Sequence, residues 1–355
     1  MAVDNTKIAL IIPNNLWISP YVRIYTRVLD KKGVKYDVIS WNREGRKEEC
    51  IQYNCQIKSR NPLILLWAYR KYSSFVKKVV NRNRYDRLIV FTPQSAIFLR
   101  SFLKKRYEGK YVFDYRDLSL EQKRLFSKSF LKVLSNSYAN VISSPGFIKY
   151  LPKRFDYILS HNFDADLVQE AINNSFHTMY KEKINVLTIG AIRRDMNVEM
   201  IEALGNVENM CLSFVGKGPA SQELEDFVKE KGYKNISFTG FYHKEEEASF
   251  IKQCNFVNIF YPQTPSHKAA LSNRFYNSLI YKRPMLVTKN STQGDYAEQY
   301  NVGLVVENCD DLPRKIKGYL DNLDYCDYCR KCNCLLRQFV KEYKIWELML
   351  LNFLL

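Results

Sequence analysis

The sequence predicts an α/β protein built as two doubly wound, Rossmann-like domains facing across a cleft. Three observations carry that expectation. Short apolar runs alternate with helical patterns almost from end to end, which implies parallel sheets covered on both faces. The alternation restarts near residue 184. The length of 355 residues accommodates about two domains at ~150 residues each.

In the first half, "KIALII" (7–12) is a strand followed by a helix over 20–33, and "YDVIS" (36–40) is a second strand. A helix over 67–84 feeds the strand "RLIVF" (87–91). A helix over 95–109 leads to "KYVFD" (110–114), and a helix over 121–138 leads to "NVISS" (140–144).

The second half repeats the scheme. Its strands are 184–190, 235–240, 255–262, 284–288 and 302–307, with a strand and turn at 210–219 and helices at 197–205, 220–232, 244–254 and 312–323. Between them, residues 271–295 read as a capped helix, a basic turn, a buried strand and a polar loop. The domains are expected at 1–165 and 183–335, joined through the polar "INNSFHTMYKEK" (172–183). Residues 336–355 form an amphipathic helix whose stripe of Leu336, Val340, Trp346 and Leu350 needs a partner.

Charge divides the chain unevenly. Residues 1–165 carry 31 Lys and Arg against 13 Asp and Glu, whereas the remainder carries 23 against 24. All the excess positive charge lies in the first domain, so that domain is expected to meet an anionic partner. Nucleic acid and an anionic membrane surface are the two usual ones. Aromatic residues interleave the cations in "WAYRKYSSFVKKVVNRNR" (67–84), "FLRSFLKKRY" and "KRLFSKSFLKVL", a texture suited to docking on anionic lipid. Solvated basic helix faces are the plainer reading.

No apolar run reaches the ~20 residues that a spanning helix needs. The N-terminus has no signal pattern, so a cytoplasmic protein with reduced cysteines is expected. Cys326, Cys329, Cys332 and Cys334 suggest either a zinc site or a helix using Cys as a small apolar residue. Turn glycines are absent there, which favours the helix.

The candidate chemistry lies after the strands, because open α/β sheets bind ligands beyond their carboxyl ends. In "GAIRRDMN" (190–197), Gly190 permits a sharp turn, and Arg193 and Arg194 offer guanidinium forks to a phosphate. Gly216 and Gly218 in "GKGP" form a tight turn that either binds phosphate or only ends a strand. Ser272 or Asn273 is the N-cap of the next helix, whose free N–H groups and positive dipole end suit an anion. Arg274 adds a formal charge where the dipole disfavours one, which makes sense beside a bound anion; otherwise it is a solvated first-turn side chain. The backbone near Thr292 and Gly294 is expected at the same ligand. In the first domain, Asp114, Arg116 and Asp117 of "FDYRDLS" follow a strand, either orienting an acceptor hydroxyl or forming a structural pair.

The order of these pieces, "GAIRR", "FVGKGP", "ISFTGFY", a strand ending "FYP", then "NRFYNSLIYKRPMLVT…GDYAEQYNVGLVVE", resembles GT-B retaining glycosyltransferases of the group 1, family 4 type that build bacterial capsule and O-antigen. The element order covers nearly the whole chain, and the specific motifs cover 184–307. The resemblance implies a nucleotide-diphosphate sugar in the second domain, a UDP-sugar being the commoner donor, and a lipid-linked glycan acceptor in the first. It implies a last helix returning to the first domain, no metal and no other cofactor, and a place at the inner face of the plasma membrane. By position, Arg193 or Arg194 and Arg274 would meet the diphosphate, and Phe241 would lie near the base. Glu298 matches an acid that follows the glycine loop.

The pattern departs at one place. The family's two glutamates, eight positions apart, fall here on Ala269 and Asn277. Asn277 would stand in the ribose-gripping place, while Ala269 has no group for the sugar. Ser266, His267 and Lys268 are candidates to replace the lost acid, and His267 reads equally as a loop histidine. The catalytic candidates are Asp117, Arg116 and His267. The competing expectations are a polyanion- or nucleic-acid-binding protein, resting on the basic half, and a degenerate transferase without turnover.

Overall fold

The structure, a computed structural model, describes residues 6–57, 59, 61–174 and 183–355. Most of the expected polar join, residues 175–182, lies outside the described residues. The chain divides into two compact units, one of residues up to Asn162 together with Lys341–Leu355, the other Phe163–Val340.

The first unit contains β1 (Lys7–Ile11), α1 (Val22–Lys31), β2 (Lys35–Asn42), β3 (Ile51–Asn54), α2 (Pro62–Asn83), β4 (Arg87–Phe91), α3 (Pro93–Tyr107), β5 (Tyr111–Tyr115), α4 (Arg124–Asn136), β6 (Ala139–Ile142) and β7 (Ile158–Leu159). Its seven strands are all parallel, in the order β3-β2-β1-β4-β5-β6-β7. The inner strands read as continuous apolar runs because helices cover both faces. β3 and β7 were not anticipated. β3 is a polar edge of four residues, and β7 has only two, so neither carries a clear period. α2 begins five residues before the expected helix, because Asn61 caps it by accepting the Leu63 N–H at 2.9 Å and Pro62 pre-sets the first turn.

The second unit contains α5 (Ala165–Asn173), β8 (Ile184–Ile189), α6 (Asn197–Leu204), β9 (Met210–Val215), α7 (Ser221–Glu230), β10 (Ile236–Gly240), α8 (Glu247–Lys252), β11 (Phe256–Ile259), α9 (Pro265–Ala269), α10 (Asn273–Ile280), β12 (Met285–Thr288), α11 (Thr292–Tyr300), β13 (Gly303–Val306) and α12 (Leu312–Asp321). Its six parallel strands run β10-β9-β8-β11-β12-β13. The order reverses between β8 and β11, which makes their carboxyl ends the switch point of this sheet.

α13 (Tyr325–Leu354) is a single helix of 30 residues. It takes in the cysteine cluster: Cys329 and Cys332 are buried, Cys326 and Cys334 are exposed. No cluster able to hold a metal occurs among the described residues. Burial pushes the Cys332 thiol up to about 12, so it behaves as a small apolar side chain. From Lys341 onward the helix belongs to the first unit, where Trp346, Leu350 and Phe353 join the core made by β1, α1 and β4. The indole N–H of Trp346 donates to the Tyr25 hydroxyl at 3.3 Å. No helix of the described residues is long and apolar enough to cross a membrane.

Candidate functional site

A cavity of about 380 Å³ opens at the switch point of the second sheet, beyond the carboxyl ends of β8 and β11. Three segments form its front. Ile189, Gly190, Ala191 and Arg193 follow β8, and Phe260 and Tyr261 follow β11. Ser272, Asn273, Arg274 and Asn277 present the front of α10.

Gly190 leaves β8 at φ +99°, a conformation that costs glycine little and other residues more. Gly216 and Gly218 do not line the cavity. They allow their turn to pack against this loop, since a Cβ on Gly216 would lie 2.1 Å from the Gly190 oxygen and one on Gly218 would lie 2.0 Å from the Ile192 oxygen. The turn therefore supports the cavity wall from behind.

Ser272 is the N-cap of α10, its hydroxyl accepting the Phe275 N–H at 3.3 Å. Gln293 holds Ser272 in place, accepting from its N–H at 2.9 Å and from its hydroxyl at 2.7 Å. The first turn of α10 carries no acid. Arg274 donates from Nε to the Ile189 oxygen (2.6 Å), from Nη1 to the Asn258 oxygen (3.2 Å) and from Nη2 to the Ala191 oxygen (3.3 Å). It ties the two strand ends together and has N–H groups to spare, since a guanidinium carries five. Arg193 is exposed at the rim of the same cavity. Two cations and a helix front thus converge on one space.

Not every expected residue reaches it. Arg194 is exposed and paired to Glu223 at 2.6 Å, outside the cavity lining. Phe241 is 68% exposed, edge-on to His243; its neighbour Tyr242 lines the cavity instead. The expected polar loop at 289–295 is largely the start of α11, capped by Ser291, whose hydroxyl accepts the Gly294 N–H at 3.0 Å. Thr292 donates to the Lys268 oxygen at 3.0 Å, and Gly294 packs against the end of β12. Glu298 is exposed in the middle of α11, away from the cavity.

His267 lines the cavity with its ring stacked on Tyr261 at 5.3 Å between centroids, and its buried Nδ1 has no partner among the described residues. Ala269 is buried in α9. Asn277 donates from Nδ2 to Glu247 Oε1 at 3.0 Å. Glu247, on the cavity wall, was not singled out by the sequence, because "KEEEASF" holds three glutamates and periodicity does not say which turns inward. Gln293 and Asn258 carry no sequence signal either: Gln293 is one polar residue among many in "KNSTQGD", and Asn258 is a lone polar residue inside an apolar strand.

In the first unit, Asp114 is fully buried at the carboxyl end of β5. Its Oδ2 accepts from Arg116 Nη2 at 2.5 Å and from the Tyr25 hydroxyl at 2.6 Å. Burial holds the Asp114 carboxyl above the usual range, against the pull of Arg116. Nε and Nη1 of Arg116 are buried with no partner among the described residues. Asp117 is exposed and accepts the Leu118 N–H at 2.8 Å. His161 is buried and bonded to Glu342 at 2.6 Å.

The same unit exposes large apolar side chains at this sheet edge. Trp17 follows β1, Leu63, Ile64 and Trp67 occupy the first two turns of α2, Leu125 opens α4, and Ile148 follows β6. Arg46 lies over the Trp17 ring at 5.6 Å and Lys71 over Trp67 at 5.3 Å.

No protein-family model matches the chain. A curated relative, an uncharacterized glycosyltransferase of Methanocaldococcus jannaschii, is 22% identical over 248 residues; the match covers 68% of this chain and 60% of that protein's length. Among solved structures, sucrose-phosphate synthase from Thermosynechococcus elongatus superposes with a TM-score of 0.68 at 16% identity, covering 98% of this chain and 97% of the other. Anabaena HepE, solved in complex with UDP, gives 0.65 at 13% identity, covering 98% and 100%. The fold is the two-domain GT-B type.

Proposed function

We propose that the chain is a glycosyltransferase that takes a sugar from a nucleotide-diphosphate donor, a UDP-sugar, with retention, and passes it to a lipid-linked glycan acceptor in surface-polysaccharide synthesis. The observation that carries this reading is the cavity at the β8–β11 switch point, fronted by the α10 N-terminus with Arg274 and Arg193. The relative's name and the UDP bound by a fold neighbour agree with it.

Departure of the nucleoside diphosphate builds negative charge, and these cations and the helix front would stabilise it without a divalent metal. His267 would face the sugar in place of the acid missing at Ala269. In the first unit, Asp117 and Arg116 would orient the acceptor, the two unpartnered Arg116 donors suiting an acidic group on it. The basic half and the exposed Trp17, Leu63 and Trp67 support docking on the anionic inner-leaflet surface rather than on nucleic acid, because the apolar side chains need hydrocarbon to cover them.

The test is calorimetric titration of UDP, GDP, ADP and dTDP with and without EDTA, followed by hydrolysis and transfer assays with the matching nucleotide sugars. Tight binding of one nucleotide, insensitive to EDTA, supports the donor reading; no binding removes it. A second reading, a nucleotide-binding chain without turnover, is favoured by Ala269 and would show as binding without hydrolysis or transfer.

A further inference from the structure

Glu247 opens α8, where an acid usually does no more than face the helix dipole in solvent. This one does more. Its side chain is only 14% exposed. Its Oε2 accepts from the Tyr242 hydroxyl at 2.9 Å, and its Oε1 accepts from Asn277 Nδ2 at 3.0 Å and from Lys244 Nζ. Tyr242 and Glu247, from the stretch that leads into α8, and Asn277, from α10, meet on one wall of the cavity. Asn277 lies one helical turn beyond Arg274, so this wall follows directly on the cationic front.

The chemistry of the wall differs from that of the front. Because Nδ2 of Asn277 is engaged by the carboxylate, its Oδ1 remains an acceptor, and Glu247, whose Oε1 receives two bonds and Oε2 one, keeps an acceptor site on Oε2. A carboxylate beside an amide oxygen suits two neighbouring hydroxyl donors. It repels a phosphate, which is left to the arginine end.

We propose that Glu247, with Asn277, reads the vicinal hydroxyls of the donor's ribose, so that the carboxylate absent from α10 is supplied from α8, and the donor is a ribonucleoside rather than a deoxyribonucleoside diphosphate sugar. The inference rests on the donor reading above. Tyr242 and Lys244 hold the carboxylate in place, Tyr242 from the cavity side and Lys244 from the exposed side. Loss of one hydroxyl is expected to weaken binding about 10-fold or more, the range of a hydrogen bond to a charged group.

The experiment titrates the full chain with UDP, GDP and ADP, the 2′-deoxy counterpart of whichever binds, and inorganic pyrophosphate. It is repeated on Glu247→Gln and on Glu247→Gln combined with Asn277→Glu. The expected result is a preference of about 10-fold or more for the ribonucleotide in the native protein. That preference should shrink in Glu247→Gln and return in the double variant, while pyrophosphate affinity should not fall in Glu247→Gln, which removes a negative charge from the cavity wall. Equal binding of ribo- and deoxyribonucleotide by the native protein overturns the inference while the donor reading stands. A preference that survives Glu247→Gln also overturns it. If no nucleotide binds, the donor reading falls and this inference with it. The native comparison needs no variant to fold.

Discussion

Arg274 donates from Nε to the carbonyl oxygen of Ile189 at 2.6 Å, so the side chain that fronts the cavity also fastens α10 to the end of β8. Arg274→Ala should therefore reduce both binding and stability. Nucleotide affinity is expected to fall about 10- to 100-fold and stability by about 1–3 kcal/mol, as three carbonyls lose a charged donor. Arg274→Lys should recover part of the affinity but little of the stability, because an ammonium does not reach three acceptors in a plane. Titration calorimetry and urea melts separate the two effects.

Gly218→Ala tests the wall from behind. The added methyl would lie 2.0 Å from the Ile192 oxygen and must push the 190–193 loop towards the cavity. A loss of about 1–3 kcal/mol in stability is expected from overpacking, with weaker nucleotide binding although no cavity-lining side chain has changed. Gly33→Ala, where a Cβ meets nothing within 4 Å but φ is +65°, is the control for backbone strain alone and should leave binding untouched.

Stability should depend on pH through His161. Burial lowers its pKa below the usual 6.5, against the pull of Glu342, with Arg116 adding to the lowering. The native state thus disfavours the proton that the unfolded chain accepts. Stability from this group is complete above pH ~6.5 and falls as pH drops through that value towards the lowered folded pKa. Melting temperatures of native protein and His161→Gln between pH 8 and pH 5 check this: the variant should lose part of the acid-side decline. An identical decline in both would place its origin elsewhere.

The apolar start of α2 makes a membrane prediction. Leu63 and Trp67 are 74% and 56% exposed. Each is worth roughly 1.5–3 kcal/mol if buried in lipid. Leu63→Ser with Trp67→Ser should reduce co-sedimentation with anionic vesicles by at least about 10-fold, and nucleotide affinity should be unchanged. Neutral vesicles and high salt should weaken binding of the native protein, because the surrounding Lys and Arg require an anionic surface within a Debye length.

The alternation of apolar strands and amphipathic helices made both sheets legible, since each inner strand is buried on two faces and advertises it. Edge elements were not, because β3 is short and half polar and β7 has only two residues, too few to show a period. At the site, Ser272, Arg274 and Asn277 could be found because a cap, a misplaced cation and a motif position mark them in one dimension. Glu247 could not. Its meaning comes from two hydrogen bonds to residues five and thirty positions away, and three consecutive glutamates look alike until a helix turns one inward. In the sequence the start of α11 reads as a loop because "KNSTQGD" is rich in turn formers, yet its serine caps a helix.

The course of α13 bears on biosynthesis. Tyr25, at the heart of the first unit, packs edge-on against Trp346, 321 positions further along the chain. A ribosome delivers β1 and α1 first and must finish the entire second unit before the tail that covers them exists. The nascent first unit is therefore expected to wait with Tyr25 and its apolar neighbours uncovered, a natural client for a chaperone. A C-terminal truncation at Lys341 would prolong that exposure indefinitely.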